Sequence, residues 1–156
     1  MRVKLIAVGE RMPDWVRTAS QDYAQRLPRE WRFELIEVPV ATRGKSPDLV
    51  RLKQTEGQKM LKAVPGDARV VALDERGESL STVEWANALK HWQQNGDAVC
   101  LLIGGPDGLA PECLTRAQQR WSLSKLTLPH ALARVLVLEQ LYRAWSLLTN
   151  HPYHRA

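Results

Sequence analysis

An unbroken apolar run that ends in a glycine-rich loop constrains the fold of this chain more than any other feature. The run is Val99-Cys100-Leu101-Leu102-Ile103, and Gly104-Gly105-Pro106-Asp107-Gly108 follows it directly. Five apolar residues without alternation are typical of a strand covered on both faces, as in a parallel sheet. Ligands of open α/β sheets collect at the carboxyl ends of the strands, and glycine lets them approach the main chain. The loop is therefore either part of a ligand site or a plain strand-to-helix turn.

The composition is that of a folded protein with a moderately basic balance. The chain has 156 residues, of which 44% are hydrophobic and 25% charged, and its net charge is +5. This predicts one domain over residues 1–156 and permits a polyanionic partner such as nucleic acid. Cys100 and Cys113 lack the spacing of a disulfide framework or a metal site, so we expect buried thiols and no metal. No segment has signal-peptide character or transmembrane length, so we expect a cytoplasmic protein with no membrane partner.

Strand and helix patterns alternate along the whole chain. Strands are predicted at residues 3–8, 33–38, 69–74, 98–103 and 123–128, and helices at 14–27, 48–63, 82–94, 112–120 and 132–149. Ser81 and Glu84 have capping-box spacing, and Pro111 suits the first turn of the fourth helix. This order predicts an α/β fold with a mostly parallel sheet and helices on both faces.

The last predicted helix carries more apolar surface than one stripe. Val135-Leu136-Val137-Leu138 is followed by further apolar residues on several sides, so a homodimer contact is a reasonable hypothesis. The polar residues of this helix are spaced to share one face, which leads to the tail Asn150-His151-Pro152-Tyr153-His154-Arg155-Ala156. Imidazole, phenol and guanidinium groups suit proton transfer, base stacking and phosphate binding, whereas a plain frayed end would carry no function. His130, just after Pro129, is either a helix cap or a pocket residue.

One segment imitates a phosphate-binding P-loop. Gly44-Lys45-Ser46 copies the end of that motif, but the position of its first glycine is occupied by Pro39. A P-loop NTPase is thus the weaker interpretation, and the alternative is a basic loop whose Arg43 and Lys45 meet an RNA backbone. Dinucleotide-binding and serine-hydrolase motifs are absent from the sequence.

Several motifs taken together resemble one known family. They are Val8-Gly9 with Met12-Pro13-Asp14-Trp15, Arg43-Gly44-Lys45, Leu101-Leu102-Ile103-Gly104-Gly105-Pro106, Leu126-Thr127-Leu128-Pro129-His130, and Tyr142-Arg143-Ala144-Trp145-Ser146 with the tail. With these motifs the chain resembles, over essentially its whole length, the SPOUT class of methyltransferases, and within it the enzymes that methylate large-subunit ribosomal RNA.

The resemblance implies a homodimeric enzyme that uses S-adenosylmethionine to methylate N3 of a pseudouridine in 23S ribosomal RNA, with the ribosome as a further candidate partner. It also implies a carboxy-terminal trefoil knot, which residue patterns alone do not predict. The positions that match the family's cofactor pocket are Leu73, Gly104, Leu123, Ser124, Lys125, Leu126, Thr127 and Leu128.

The tail supplies the candidate catalytic residues. With the resemblance as the frame, His154 is the candidate base, Arg143 the charge stabiliser or phosphate clamp, and Tyr153 a contact to the RNA. Arg155, Arg43 and Lys45 are the candidate RNA-binding residues. In a dimer, the tail of one subunit could complete the site of the other. The alternative of a different class is a noncatalytic ribosome-associated RNA-binding protein without a cofactor pocket.

Overall fold

The five strands form one sheet in which every pairing is parallel. The computed structural model describes residues 1–46 and 48–155. The strands are β1 (Arg2–Val8), β2 (Glu34–Val38), β3 (Arg69–Ser79), β4 (Ala98–Ile103) and β5 (Gln119–Ser122). Their order across the sheet is β2-β1-β4-β3-β5, so β4, the apolar run, lies at the centre. Its register with β1 pairs Leu5 with Leu101 and Ile6 with Leu102.

Helices cover both faces of this sheet. They are α1 (Asp14–Arg26), α2 (Leu49–Lys62), α3 (Thr82–Asn95), α4 (Pro111–Arg116) and α5 (His130–Leu148), with a 3₁₀ turn at Arg29–Trp31. One core lies between the sheet and α1, α3 and α5, and includes Leu101 and Leu138. The other lies between the sheet and α2 and α4, and includes Leu102 and Met60. Adjacent β4 residues therefore belong to different cores, as the run without alternation predicts.

Local signals at the helix ends are confirmed. Ser81 and Glu84 form a reciprocal capping box, with Glu84 N donating to Ser81 Oγ at 3.2 Å and Ser81 N to Glu84 Oε2 at 2.6 Å. Pro111 occupies the first turn of α4.

Cys100 and Cys113 are free and buried. Among the residues that the structure describes, no helix has the length and apolar character that a membrane crossing requires.

The prediction for the fifth strand was wrong. Residues 123–128 form a loop, and the strand comes earlier, at Gln119–Ser122, where a helix was expected to continue. Trp121 explains the shift, because it is buried against Trp85 at 4.8 Å and Trp92 at 5.5 Å between ring centroids. The loop is held by Ser124, whose Oγ accepts from Leu126 N at 2.9 Å, a local bond that competes with strand pairing. The knot that the resemblance implies stays an expectation.

Helix α5 is covered more completely than its sequence suggests. Every residue from His130 to Leu148 is buried or half-buried, because α1 and α3 pack along both of its sides. A half-buried row runs along its outer surface at steps of three and four: Leu132, Val135, Leu136, Glu139, Gln140 and Arg143. Ser146, expected on the polar face, is instead fully buried and donates to the Arg143 carbonyl at 2.6 Å.

Candidate functional site

A cavity of about 720 Å³ lies at the carboxyl edge of β3 and β4. Its walls come from the residues of β3 that follow Ala72, the glycine loop after β4, and the loop between β5 and α5. This is the edge at which the sheet topology predicts a ligand, and the volume falls within the usual range for small-molecule sites. Of the eight positions predicted for the cofactor, the lining includes Leu73, Gly104, Leu123, Ser124, Leu126, Thr127 and Leu128. Lys125 is not among the lining residues.

The glycine loop is shaped by its own backbone. A Cβ on Gly104 would lie 2.5 Å from the carbonyl carbon of Gly108, which is closer than real Cβ atoms approach. Gly108 has a φ of +85° and donates from its backbone N to the Gly105 carbonyl at 3.0 Å. Glycine at position 104 is thus required by loop closure, independently of any ligand. Replacing it would disrupt the loop, so such a variant cannot by itself locate the ligand.

The loop between β5 and α5 offers apolar surface to the cavity. Leu126 is 74% exposed, which is unusual for leucine, and it lines the cavity together with Leu123 and Leu128. Such a surface matches a flat heteroaromatic ring such as adenine, while the exposed main chain of the loop can bond to the ring edge.

The polar lining was missed by sequence reasoning. Charged side chains surround the opening from α2, from β3 and from the glycine loop: Lys53, Asp74, Glu75, Arg76 and Asp107. The sequence signal for two of them was their position, because Asp74 ends the predicted strand and Asp107 lies in the glycine loop. Both signs of charge are present, as a ligand with an amino acid moiety and a sulfonium requires. The residues of this cavity therefore fit S-adenosylmethionine.

His130 is a pocket residue, the second of its two interpretations. It begins α5 and lines the cavity. Burial lowers the pKa of His130, the positive charge of Arg134 lowers it further, and Glu56 acts in the opposite direction. The neutral imidazole is thus favoured at this position.

Behind His130, a buried arginine ties α5 to the sheet. Arg134 is 2% exposed, and its Nη1 donates to Glu37 Oε2 at 2.6 Å while its Nη2 donates to the Gly9 carbonyl at 2.8 Å. Its Nε has no hydrogen-bond partner within the described residues. Gly9 and Glu37 belong to the carboxyl ends of β1 and β2, so this arginine fixes the start of α5 beside the cavity. No pattern in the sequence marked it.

The predicted catalytic residues of the tail do gather in one cluster. Arg143 Nη1 lies 3.5 Å from His154 Nδ1, and the Arg143 guanidinium lies 4.8 Å from the centroid of the Tyr153 ring. Glu139 Oε1 accepts from Arg143 Nε at 2.8 Å and from Tyr153 Oη at 3.1 Å. The hydrogen bond with Glu139 raises the pKa of Arg143, so the guanidinium stays charged. Burial, with hydrogen bonds to Tyr23 and Glu139, raises the pKa of Tyr153, which keeps the phenol protonated.

Within one chain, this tail cluster does not line the cavity. Neither Arg143 nor any of Tyr153, His154 and Arg155 is among the lining residues. Arg143 lies thirteen residues beyond His130 on α5, which is about 20 Å along a helix. One chain therefore presents the two halves of the predicted site at separate places.

The two basic residues of the loop before α2 differ in their surroundings. Arg43 forms an ion pair with Asp107, which brings it to the glycine loop of the cavity. Lys45 is exposed, as is Arg155 in the tail. The loop of Arg43 therefore lies next to the cavity rather than apart from it.

An all-parallel sheet of this order, with a cavity between the loops after β4 and β5, defines the class of protein. The chain belongs to the SPOUT methyltransferases: the family model described as "Predicted SPOUT methyltransferase" matches residues 1–154. SPOUT methyltransferases use S-adenosylmethionine, which makes this chain an S-adenosylmethionine-dependent enzyme.

The comparison with individual proteins is equally specific. The chain is 56% identical over 155 residues to the ribosomal RNA large subunit methyltransferase H of Thioalkalivibrio sulfidiphilus, and the match covers 99% of each chain. Two solved structures share the fold. A probable methylase family protein from Haemophilus influenzae has a TM-score of 0.56 and 15% identity, with 99% of this chain and 70% of that chain covered. A probable methyltransferase from Bordetella pertussis has a TM-score of 0.60 and 17% identity, with 92% and 93% covered.

Proposed function

We propose that this chain transfers a methyl group from S-adenosylmethionine to N3 of a pseudouridine in 23S ribosomal RNA. The observation that carries the proposal is the cavity at the carboxyl edge of β3 and β4, whose apolar and charged walls suit the cofactor. The specific substrate is supported by the relative that is named a large-subunit ribosomal RNA methyltransferase, at 56% identity over nearly both whole chains.

The cofactor-binding role falls to the cavity walls. The loop between β5 and α5 holds the adenine against Leu123, Leu126 and Leu128, with Ser124, Lys125 and Thr127 in the same loop. Leu73 and Gly104 close the opposite wall. When bound, S-adenosylmethionine supplies a methyl group already activated by its sulfonium. The walls then contribute mainly by fixing the direction from which the acceptor nitrogen approaches.

The acceptor nitrogen carries a proton that must leave. We assign that proton to His154, while the charged guanidinium of Arg143 stabilises the negative charge that develops on the base. Tyr153 orients Arg143 through the shared carboxylate of Glu139 and contacts the RNA. Arg43, Lys45 and Arg155 hold the phosphate backbone.

The enzyme acts as a homodimer in which the tail of one subunit completes the cavity of the other. This is supported by the separation of about 20 Å between His130 and Arg143 along α5. It is also supported by the half-buried row of α5, which begins with Leu132, Val135 and Leu136 and ends at Arg143. A second copy packed on this row would bury its apolar start and place a tail near the cavity. Light scattering gives the mass directly, and a monomer at micromolar concentration would refute this arrangement.

The experiment that tests the function is methyl transfer to ribosomal material from a strain that lacks the modification. The purified protein and labelled S-adenosylmethionine are incubated with free 23S RNA, with large subunits and with whole ribosomes. We expect label on one pseudouridine base in at least one of the three. Binding of the cofactor without transfer to any of them would contradict the proposed substrate, whereas RNA binding without cofactor binding would favour a noncatalytic RNA-binding protein.

A further inference from the structure

A second concave surface lies between α2 and the segment that precedes it. This groove, of about 560 Å³, has α2 as one wall and residues of the chain between β2 and α2 as the other. Arg51, Thr55 and Lys59 line it from α2 at steps of four, so their side chains follow one another along a single face of the helix. The opposite wall includes Thr42, Gly44 and Ser46, the segment that imitates a P-loop.

The charge of the groove is unbalanced toward positive. Among the residues that line it, Arg51 and Lys59 are cationic and Asp48 is the acid. The Asp48 carboxylate caps α2 by accepting from Arg51 N at 3.2 Å, so it has a structural partner. Within the described ranges, neither Arg51 nor Lys59 has a carboxylate within ion-pair distance. Lys45 adds an exposed positive charge on the flanking loop.

The groove lies beside the cofactor cavity. Arg43 joins the loop to Asp107 in the glycine loop, and Ala41 N donates to the buried carboxylate of Glu56 at 3.0 Å. Lys53, on the same helix as Arg51, lines the cavity itself. Positive side chains of α2 therefore line both concave surfaces, Arg51 and Lys59 the groove and Lys53 the cavity.

We propose that this groove holds the sugar-phosphate backbone of the RNA strand that enters the cavity. Spaced cations match successive phosphates, and the hydroxyl groups of Thr42 and Ser46 can donate to phosphate oxygens. Thr55 Oγ1 donates to the Arg51 carbonyl at 3.0 Å, so it can accept from a 2′-hydroxyl group. The groove lining has no aromatic side chain on which a base could stack, so it positions the strand without reading its sequence. The proposal rests on the proposed function, since it names the path of the RNA to the same active site.

The helix start argues against a nucleotide in this groove. In a P-loop the glycine, lysine and serine open the helix, whereas here α2 begins at Leu49, three residues after Ser46. P-loop enzymes also hold magnesium with an aspartate at the end of a buried strand, but Asp74, which follows the apolar part of β3, lines the cofactor cavity and not the groove. A polymeric phosphate chain fits the geometry better than a single triphosphate.

The test compares the double variant Arg51→Glu/Lys59→Glu with Lys90→Glu, which reverses an exposed charge on α3 across the sheet. Three measurements are made on each full-length protein. They are the affinity for S-adenosylhomocysteine, the affinity for a short labelled oligouridine at several salt concentrations, and methylation kinetics on the accepted ribosomal substrate.

We expect the double variant to bind S-adenosylhomocysteine normally, which shows that it folds. Its oligouridine affinity should fall about tenfold or more, with the slope against salt reduced by about two. KM for the ribosomal substrate should rise while kcat changes little, and Lys90→Glu should match the wild type. Equal RNA affinity in both variants would overturn the groove proposal while leaving the function intact.

A second arm separates RNA from free nucleotide. ATP with magnesium is titrated into the wild type and into the double variant. We expect no saturable ATP binding that is present in the wild type and absent from the double variant. If such binding appeared, the groove would be assigned to a nucleotide and the proposal would be overturned. A wild type that methylates no ribosomal substrate would instead contradict the proposed function, whatever the oligouridine results.

Discussion

Leu126 is a cavity residue at which ligand contact can be tested apart from folding. Its side chain is 74% exposed, so replacing it removes no core packing, although it lines the cavity wall. Gly104 lacks this property, because any side chain there collides with the backbone of Gly108. A substitution at Leu126 therefore tests ligand contact, whereas a substitution at Gly104 also disrupts the fold of the loop.

We predict that Leu126→Arg weakens binding of S-adenosylhomocysteine by about tenfold or more, because the ligand would lose its apolar contact with one leucine side chain. The melting temperature should stay near that of the wild type. Calorimetric titration and thermal melting check both points. Val50→Arg is the matched control, because Val50 is 75% exposed and lines neither concave surface. Unchanged affinity in Leu126→Arg would remove this loop from the cofactor site.

The lowered pKa of His130 predicts that the free energy of unfolding depends on pH. Burial and the charge of Arg134 lower its pKa below the ordinary value of 6.5, so the unfolded chain takes up this proton first as pH falls. The stabilising contribution of the neutral imidazole is complete above pH 6.5 and is lost as pH decreases toward the folded-state pKa.

The measurement is denaturant unfolding of the wild type and of His130→Gln between about pH 5 and about pH 7. We expect the difference in the free energy of unfolding, wild type minus variant, to increase with pH over this window. A difference that does not depend on pH would show that the imidazole titrates normally.

At the scale of elements, α5 is attached to the sheet by Arg134. The guanidinium joins the helix to Glu37 and to the Gly9 carbonyl, at the carboxyl ends of β2 and β1. Removing it would leave a buried carbonyl oxygen without this donor and a carboxylate without its ion-pair partner.

We predict that Arg134→Met lowers the free energy of unfolding by about 2 to 4 kcal/mol, measured by urea denaturation. Arg26→Met on α1 is the control, because the ion pair of Arg26 with Asp22 is exposed, and we expect it to cost less than about 1 kcal/mol. Similar losses in the two variants would mean that Arg134 does not anchor the helix.

Helices and strands fixed by local signals were predicted from the sequence, and those fixed by long-range contacts were not. β4 was predicted because its apolar run is covered on both faces, and α3 because its cap is local. β5 was misplaced because its large buried side chain, Trp121, is fixed by long-range contacts with Trp85 and Trp92 that sequence periodicity does not reveal. Arg134 was missed for the same reason: its partners lie 97 and 125 residues away in sequence.

Within the candidate site, too, the residues marked by a sequence motif were predicted and the others were not. The glycine loop and the residues 123–128 were found because a motif marks them, and most of those residues line one cavity. The charged lining at Asp74 and Arg76 was not found, since charged residues that follow the apolar part of β3 look like ordinary exposed residues. The tail cluster was predicted as a group, but its distance from the cavity within one chain depends on the length of α5.

At the scale of the whole molecule, the proposed active site requires two chains. The cavity lies where α5 begins, and the cluster of Arg143, Tyr153 and His154 lies beyond its middle. If the tail acts on the cavity of a second subunit, two defective chains can repair each other, because a dimer of different variants still contains one intact cavity facing one intact tail.

The most direct test of this central claim is the methyltransfer activity of a heterodimer made from Leu126→Arg and from Arg143→Ala/His154→Ala. The two chains are co-expressed with different tags, and only the mixed dimer is purified. With the concentration of S-adenosylmethionine held between the Kd of the wild type and that of Leu126→Arg, each variant alone should have little activity on the ribosomal substrate. The mixed dimer should recover about half of the wild-type rate, from its one intact site. A mixed dimer as inactive as its parents would contradict the account, because cavity and tail would then have to act within the same chain.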